Sequence, residues 1–387
     1  MRAWAGLVVV IAGLAAAEEA RDEVDLTARL GEGVTLRSGD FSLNTRGFFQ
    51  AEALALLPTA DSHAVRSNQL VVRRARLILK GDLPFHLRWH LHLGFASFDL
   101  EADAPNPIRD CYVSWTAWRD LSVRVGQQKI MFDRQFSAPT GATLQMVERS
   151  LSTGEFNLDR DVGVTAYSDD LFGLGWARYA VGVYQGDGRN RLGANPGVLF
   201  AARVRVTPFG PLDDRVEGDP SRSPRFRLAL GAALARNEGT ARPRGTTGNV
   251  GRLPGGFNFT HATTDLLVAW RGLSLAGELS WRRADVDQRA GSIAGVPIVE
   301  YARSGWGWYA QAGAYVTDWL ELTARVGEVR PFAGTDPAFG RQREVGGGLN
   351  GFLHGHDLKL QADYFWLDDG VGRDGRHQVR LLAQVAL

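Results

Sequence analysis

The stretch 85–95 reads F-H-L-R-W-H-L-H-L-G-F. Phe85, Leu87, Trp89, Leu91, Leu93 and Phe95 hold its odd positions, while Arg88 and the histidines His86, His90 and His92 hold even ones. Successive side chains of a β-strand point to opposite faces, so this stretch has one greasy face and one cationic face. A single strand of this kind fits a soluble sheet with its greasy face inward. It fits equally a membrane barrel with lipid outside and a polar lumen within. Recurrence of the pattern separates the two.

The same alternation returns at 41–56, 68–80, 109–118, 121–130, 161–168, 174–185, 198–207 and 225–236, and again at 259–271, 273–284, 304–317, 319–330, 344–353, 358–367 and 377–387. With 85–98 these make sixteen segments, an even number. Short and long connections alternate between them. Short ones lie at 81–84, 119–120, 169–173, 272, 318 and 354–357, and long ones at 57–67, 131–160, 186–197, 237–258, 285–303 and 331–343. Short turns at one rim and long loops at the other mark an outer-membrane barrel. The segment 208–224 breaks the rule, being long and charged on the short-turn side.

The N-terminus supports export. Arg2 supplies a positive start, residues 3–17 are apolar, and Ala15-Ala16-Ala17 before Glu18 forms an A-x-A cleavage site. Such a run is too short to span a bilayer as a helix and reads as a signal peptide. A chain that then enters a membrane without a spanning helix must do so as a closed barrel. The expected fold is therefore all-β: a transmembrane antiparallel β-barrel of about 16 strands. Residues 1–17 are its leader, 18–40 a short N-terminal periplasmic segment and 41–387 one barrel domain. The long third loop, 131–160, is too apolar to lie free in water and is expected to fold into the lumen as a constriction, carrying Arg134, Glu148 and Arg149. A soluble β-sandwich would also alternate, but the leader and the alternation of loop lengths count against it.

A barrel of this size encloses a water-filled channel whose wall charges set selectivity. The polar faces carry Arg74, Arg76, Arg88, Arg124, Arg203, Arg205, Arg225 and Arg227 among other cations, and Lys129 stands where the third loop begins. Fewer acids face them, Asp110 among these. The whole chain has a formal charge of only +1, so the excess lies in where the arginines sit. Basic residues are almost all arginine, with lysine only at Lys80, Lys129 and Lys359. A guanidinium binds carboxylate or phosphate oxygens bidentately and stays charged. A low-dielectric cleft lined this way concentrates anions.

The blocks R-R-A-R-L-I-L-K-G (73–81), R-D-C-Y-V-S-W (109–115), L-S-V-R-V-G-Q-Q-K (121–129), V-E-R-S-L (147–151) and R-D-V-G-V (160–164) occur in this order. Their combination resembles the phosphate-selective porin O and P family over roughly residues 41–185. The resemblance implies a sixteen-stranded, trimeric outer-membrane porin with an inward third loop. It also implies passage of phosphate or polyphosphate past basic residues, with Arg73, Arg74, Arg88, Asp110 and Arg149 as counterparts of pore residues. Other members of the family take other small solutes.

The expected function is thus a passive, anion-preferring channel in the outer membrane of a Gram-negative-type bacterium. Its partners would be small anions, outer-membrane lipid and two further copies of the chain, with no nucleic acid and no cofactor. A general small-solute porin is one alternative, and a barrel enzyme or adhesin is another. His86, His90 and His92 share a strand face, but Arg88 among them favours a hydrated wall over a metal site. Hydrolase, zinc-protease and nucleotide-loop motifs do not occur.

Overall fold

The computed structural model describes residues 24–58, 67–101, 105–191, 197–368 and 375–387. The leader expected at 1–17 lies outside the described residues. An N-terminal hairpin, β1 (Asp25–Arg29) and β2 (Gly33–Ser38), leads into the barrel. The wall begins with β3 (Phe41–Pro58), β4 (Ser67–Leu83), β5 (Leu87–Gly94), β6 (Ile108–Trp115), β7 (Ser122–Lys129) and β8 (Arg160–Ser168). It continues through β9 (Ala177–Tyr184), β10 (Leu199–Val206), β11 (Arg227–Thr240), β12 (Phe257–Trp270) and β13 (Leu273–Ala284). A separate hairpin, β14 (Gln288–Ile293) and β15 (Val296–Tyr301), rises from the loop that follows. The wall then runs through β16 (Gly305–Tyr315), β17 (Leu320–Pro331), β18 (Gln342–His354), β19 (Leu358–Asp368) and β20 (Arg376–Ala386).

Every wall strand pairs antiparallel with its neighbours, and β20 returns to β3 from Arg376↔Pro58 to Ala386↔Phe48. The closure continues past the last strand, with Leu387 N donating to Gly47 O at 2.8 Å. The molecule is a closed 16-stranded barrel, as the alternation required. Below the closure, β2 pairs with the first residues of β3 and extends the sheet beyond the short-turn rim.

The two faces separate as expected for a lipid-embedded wall. Along β13, Leu273, Leu275 and Leu279 are exposed outward while Ser274, Glu278, Ser280 and Arg282 are buried inward. Phe85, Trp118, Phe172, Phe209, Phe226, Trp270 and Trp319 are all exposed, close to the short turns. Amphipathic and aromatic rings gather at such a level because one end meets hydrocarbon and the other meets headgroups. No helix among the described residues is long and apolar enough to cross a membrane.

Several expected strand limits shift, with the most consequential change at 85–98. The strand expected at 85–98 spans only Leu87–Gly94. Phe85 and His86 turn the chain instead, with φ of 67° and 62°. Two successive positive φ values reverse the chain in the sense that matches the strand twist. At the other end, Ser97–Asp99 forms a 3₁₀ turn that carries the Asp99 carboxylate into the wall.

The third loop, 130–159, folds into the lumen. Phe132 and Leu158, at its two ends, pack with Tyr184, Leu199, Ala201, Ala233 and Ala235 of the wall. Met146 packs on Phe365 and Leu367, and Phe156 on Val329 and Phe339. Its apolar character therefore serves burial against the inner wall. Two short helical segments stiffen it. Asp133 caps Arg134–Ser137 by accepting from Phe136 N, and Ser150 caps Leu151–Phe156 by accepting from Thr153 N. A cap acceptor of this type satisfies an otherwise orphaned N–H.

The segment between β10 and β11 also enters the lumen, from the opposite rim. Its Leu212 is buried with Ala229, Leu267, Ala269, Ala276 and Tyr309. This accounts for its length: a tight turn could not reach that cluster.

Candidate functional site

Two β-bulges shape the arginine wall. Between β3 and β4 the register passes from Gln50↔Arg74 to Ala51↔Val72, leaving Arg73 as the extra residue. Between β5 and β6 it passes from His92↔Asp110 to Leu93↔Ile108, leaving Arg109 as the extra residue. A bulge breaks the two-residue period and lets neighbouring side chains reach the same side. Arg73 and Arg74 consequently both reach the third loop, and Arg109 reaches Asp99 beside Asp110.

The Glu148 carboxylate of the loop is the meeting point of the first pair. Arg74 Nη2 donates to both of its oxygens at 2.8 and 2.9 Å, and Arg73 Nε donates at 2.5 Å. Burial would push this carboxyl up, but Arg74 and Arg73 outweigh it and hold it down to about 2. Beside it, Arg149 Nε donates to Gln135 O at 3.0 Å and Nη2 to Pro139 O at 3.3 Å. Its guanidinium also lies 4.8 Å from the Phe136 ring centre. Backbone carbonyls and a ring hold Arg149 in place without cancelling its charge.

A sharing pattern extends through the long-loop half of the barrel. Arg76 and Arg109 share Asp99, at 2.6 and 3.0 Å. Arg244, Arg282 and Arg303 converge on Glu155 at 3.4, 2.5 and 2.9 Å. Arg189, Arg191 and Arg242 converge on Glu101 at 3.4, 2.8 and 3.1 Å. Elsewhere single pairs prevail, including Arg203–Asp265 at 2.6 Å, Arg205–Asp214 at 2.7 Å, Arg325–Glu344 at 3.2 Å and Arg380–Asp363 at 2.7 Å. Positive charge is left over where several guanidiniums surround one carboxylate.

A cavity of about 480 Å³ opens between the third loop and the wall from β17 to β20. Arg149, Arg244, Arg303, Arg325, Arg376 and Arg380 line it, against Glu148, Glu155 and Glu344. Among the described residues, Arg149 and Arg376 have no carboxylate within ion-pair distance.

The sequence-expected residues divide into groups. Arg73, Arg74, Arg76 and Arg149 gather at or beside the constriction, as described. Asp110 lies in the adjacent wall, held by Arg160 at 2.9 and 3.1 Å and by His92 Nδ1 at 2.9 Å. Lys129 anchors the loop, donating to the carbonyls of Phe136, Ser137 and Pro139 at 2.8, 3.3 and 3.1 Å. Arg124 stacks over Tyr112 and Tyr167, 4.4 and 4.9 Å from their ring centres.

Others lie away from the constriction surface. Arg134 is fully buried under the loop, bonded to Glu217 at 3.1 Å and Tyr309 Oη at 2.7 Å. Arg203 holds Phe132 O at 2.7 Å, and Arg205 holds Leu212 O at 2.7 Å. Arg88 is exposed at the short-turn rim and pairs with Asp82 at 3.2 Å. Arg225 is exposed ahead of β11, and Arg227 donates to Pro211 O at 3.2 Å. Alternation ranks all such residues alike because it reports which face they occupy and not their depth.

Strand reading missed Arg109, Arg160, Asp99, Glu155, Arg244, Arg303 and Arg376. Arg109 had a signal: two adjacent charged residues, R-D at 109–110, interrupt an alternating strand. The R-R at 73–74 carries the same signal. The remaining residues lie in loops or at strand ends, where no period operates. His90, His92 and Asp110 bring ligand atoms within 4.8 Å of one another, but Arg160 already spans both Asp110 oxygens.

Solved structures share this architecture. DcaP, an outer membrane channel of Acinetobacter baumannii, aligns at 13% identity and TM-score 0.57 over 91% of this chain and 99% of its own. OmpT, an outer membrane protein of Vibrio cholerae, gives 12% and 0.57 over 91% and 99%. An anion-selective porin from Comamonas acidovorans gives 15% and 0.53 over 90% and 100%.

The fold is that of an outer-membrane porin. Within this porin barrel, residues 53–212 match the model of the phosphate-selective porin O and P family, which bears out the resemblance read from the motifs. The matched part holds both bulges, the whole third loop and the start of the inward turn. No match is found among curated proteins.

Proposed function

We propose that this porin barrel is a passive, water-filled channel that prefers small anions. The observation that carries the reading is the sharing of single carboxylates by two or three guanidiniums around the loop and its mouth. Glu148, Glu155, Asp99 and Glu101 each serve several arginines. Such clusters keep net positive charge in a low-dielectric cleft, which raises the local concentration of anions. Arg149 adds a guanidinium fixed by carbonyls, ready to meet an anion without prior rearrangement.

Phosphate-like and organic anions are the proposed solutes, with the chain exported to the outer membrane and assembled as a homotrimer. The family match and the anion-selective porin among the structural neighbours support this reading. A general small-solute porin is favoured instead by the one-to-one pairs Arg203–Asp265, Arg205–Asp214 and Arg380–Asp363, which cancel charge along the wall. Reconstitution in planar bilayers under a potassium chloride gradient tests the two. The proposal expects stepwise conductance with a reversal potential displaced toward the anion potential and reduced by added phosphate. A reversal potential at zero supports the general porin, and absence of steps refutes both.

A further inference from the structure

The turn 207–226 enters the lumen from the short-turn rim and meets the third loop there. Its Glu217 is 1% exposed and sits inside the barrel. Four donors converge on that one carboxylate. Arg134 Nη2 and Gln135 Nε2 approach Oε1 at 3.1 Å each, while Gln145 N and Gln311 Nε2 approach Oε2 at 3.2 and 3.3 Å. Three of these donors belong to the third loop and the fourth to β16. Thr143 Oγ1 adds a bond to Arg215 O at 2.6 Å.

Burying a carboxylate costs several kcal/mol unless it is paired and fully bonded. The turn offers Glu217 none of these donors itself, so the burial makes sense only with the loop in place. The reverse also holds, because Arg134 is fully buried and Glu217 is the acid paired with it. The turn is secured independently of the loop: Asp214 pairs with Arg205 at 2.7 Å, and Asp219 accepts from Gly272 N at 2.9 Å.

We infer that the turn 207–226 is a second constriction element, opposed to the third loop, and that Glu217 is the residue through which this turn helps position the loop across the pore. The two segments clamp each other from opposite rims. With the loop held there, Glu148 meets Arg73 and Arg74 of the wall and Arg149 stands beside them. Glu217 acts through the loop and touches no solute, so it is a positioning residue. The inference rests on the channel reading, since it assigns the pore its width.

The test is single-channel recording of Glu217→Ala and Glu217→Gln in planar bilayers, with uncharged polymers of graded size added to one side at a time. Heat-shifted gel mobility identifies folded barrels. Glu217→Ala is expected to raise unit conductance about twofold, add flicker, and admit larger polymers from the short-turn side. Glu217→Gln keeps an acceptor and is expected to fall between it and wild type. Folded Glu217→Ala channels with wild-type conductance, noise and polymer cut-off overturn the inference while leaving the channel reading intact. A wild-type chain that gives no steps overturns both. Should Glu217→Ala fail to fold, oxidation of Thr143→Cys/Arg215→Cys, made in Cys111→Ser, decides. Cross-linking at unchanged conductance supports a clamp present in the conducting pore. Failure to cross-link, or closure on cross-linking, overturns it.

Discussion

Arg74 chelates Glu148, donating from one guanidinium nitrogen to both carboxylate oxygens at 2.8 and 2.9 Å. Arg74 belongs to the wall and Glu148 to the inward loop, so this contact ties the two sides of the constriction together. Arg73 reaches the same acid only because a bulge places it next to Arg74. Arg73 also pairs with Glu52 of β3 at 3.5 Å, so Glu148 is the loop's share of a cluster of two guanidiniums and two carboxylates.

Removing the Glu148 charge leaves Arg74 without its paired carboxylate, while Arg73 keeps Glu52 at 3.5 Å. A unit charge about 6 Å from a permeating ion in a water-like dielectric contributes about 0.7 kcal/mol, roughly threefold in relative occupancy. Glu148→Gln is therefore expected to raise the anion-to-cation permeability ratio roughly tenfold, since the same charge acts with opposite sign on the two ions. Reversal potentials under a salt gradient measure it, and a fall in the ratio would contradict the geometry.

Arg149 is held by carbonyls and the Phe136 ring, with its charge left uncancelled. Arg149→Glu changes two units of charge, which on the same scale lowers the permeability ratio roughly a hundredfold. It should be the strongest single charge effect in the loop. An unchanged reversal potential would move the loop edge away from the conduction path.

The pH response follows from the direction of the Glu148 shift. Its folded pKa, about 2, lies below the ordinary glutamate value of 4.5. A carboxyl with a depressed folded pKa contributes its full stabilisation above the unfolded value and loses it as pH falls through the folded value. The Glu148 contribution should thus be constant from pH 7 to about 5 and fade between about 4.5 and 2. Selectivity measured across that range should be flat at first and then turn more anionic as Glu148 is protonated. A transition centred near pH 6 would assign the response to another group.

Phe136 is half-exposed, with Lys129, Arg149 and Arg160 at 5.5, 4.8 and 5.6 Å from its ring centre. Each such contact contributes about 0.5–1 kcal/mol at an exposed site. Phe136→Ala is expected to destabilise the folded barrel by about 1–3 kcal/mol, adding the lost cation–π contacts and some apolar burial. Urea titration of the barrel in detergent would read the loss, and single-channel noise should rise as Arg149 loosens.

Arg88 provides the contrast. It is exposed at the short-turn rim and its pair with Asp82 is open to solvent. Exposed pairs contribute about 0–1 kcal/mol. Arg88→Ala should leave reversal potential and stability within error, even though sequence position places Arg88 among the pore candidates. A selectivity loss comparable to that of Arg149→Glu would show that the narrowest section lies nearer the short turns.

Much of this was legible from one periodicity. Leu87, Trp89, Leu91 and Leu93 alternate with Arg88, His90 and His92, and a sheet leaves such residues only two places to point. Repetition around an even number of strands turned that choice into lipid and lumen. The inward third loop was legible too, because Phe132, Met146, Phe156 and Leu158 are too apolar for a hydrated loop. The limits of the reading show at Arg73 and Arg109, where one extra residue breaks the period. They show again at Glu217, which sits in a segment with no period at all.

The amino-acid order alone determined the barrel, its lipid face and the arginine-rich wall, because alternation and turn spacing are local properties. Only the tertiary structure decided which arginines keep their charge. Asp99, Glu148, Glu155 and Glu217 are carried to their partners by loops and turns rather than by strands, and a carboxylate's partners depend on distance in space. For that reason Arg149 stands uncancelled at the loop edge, while Arg134, in the same loop, is buried against Glu217.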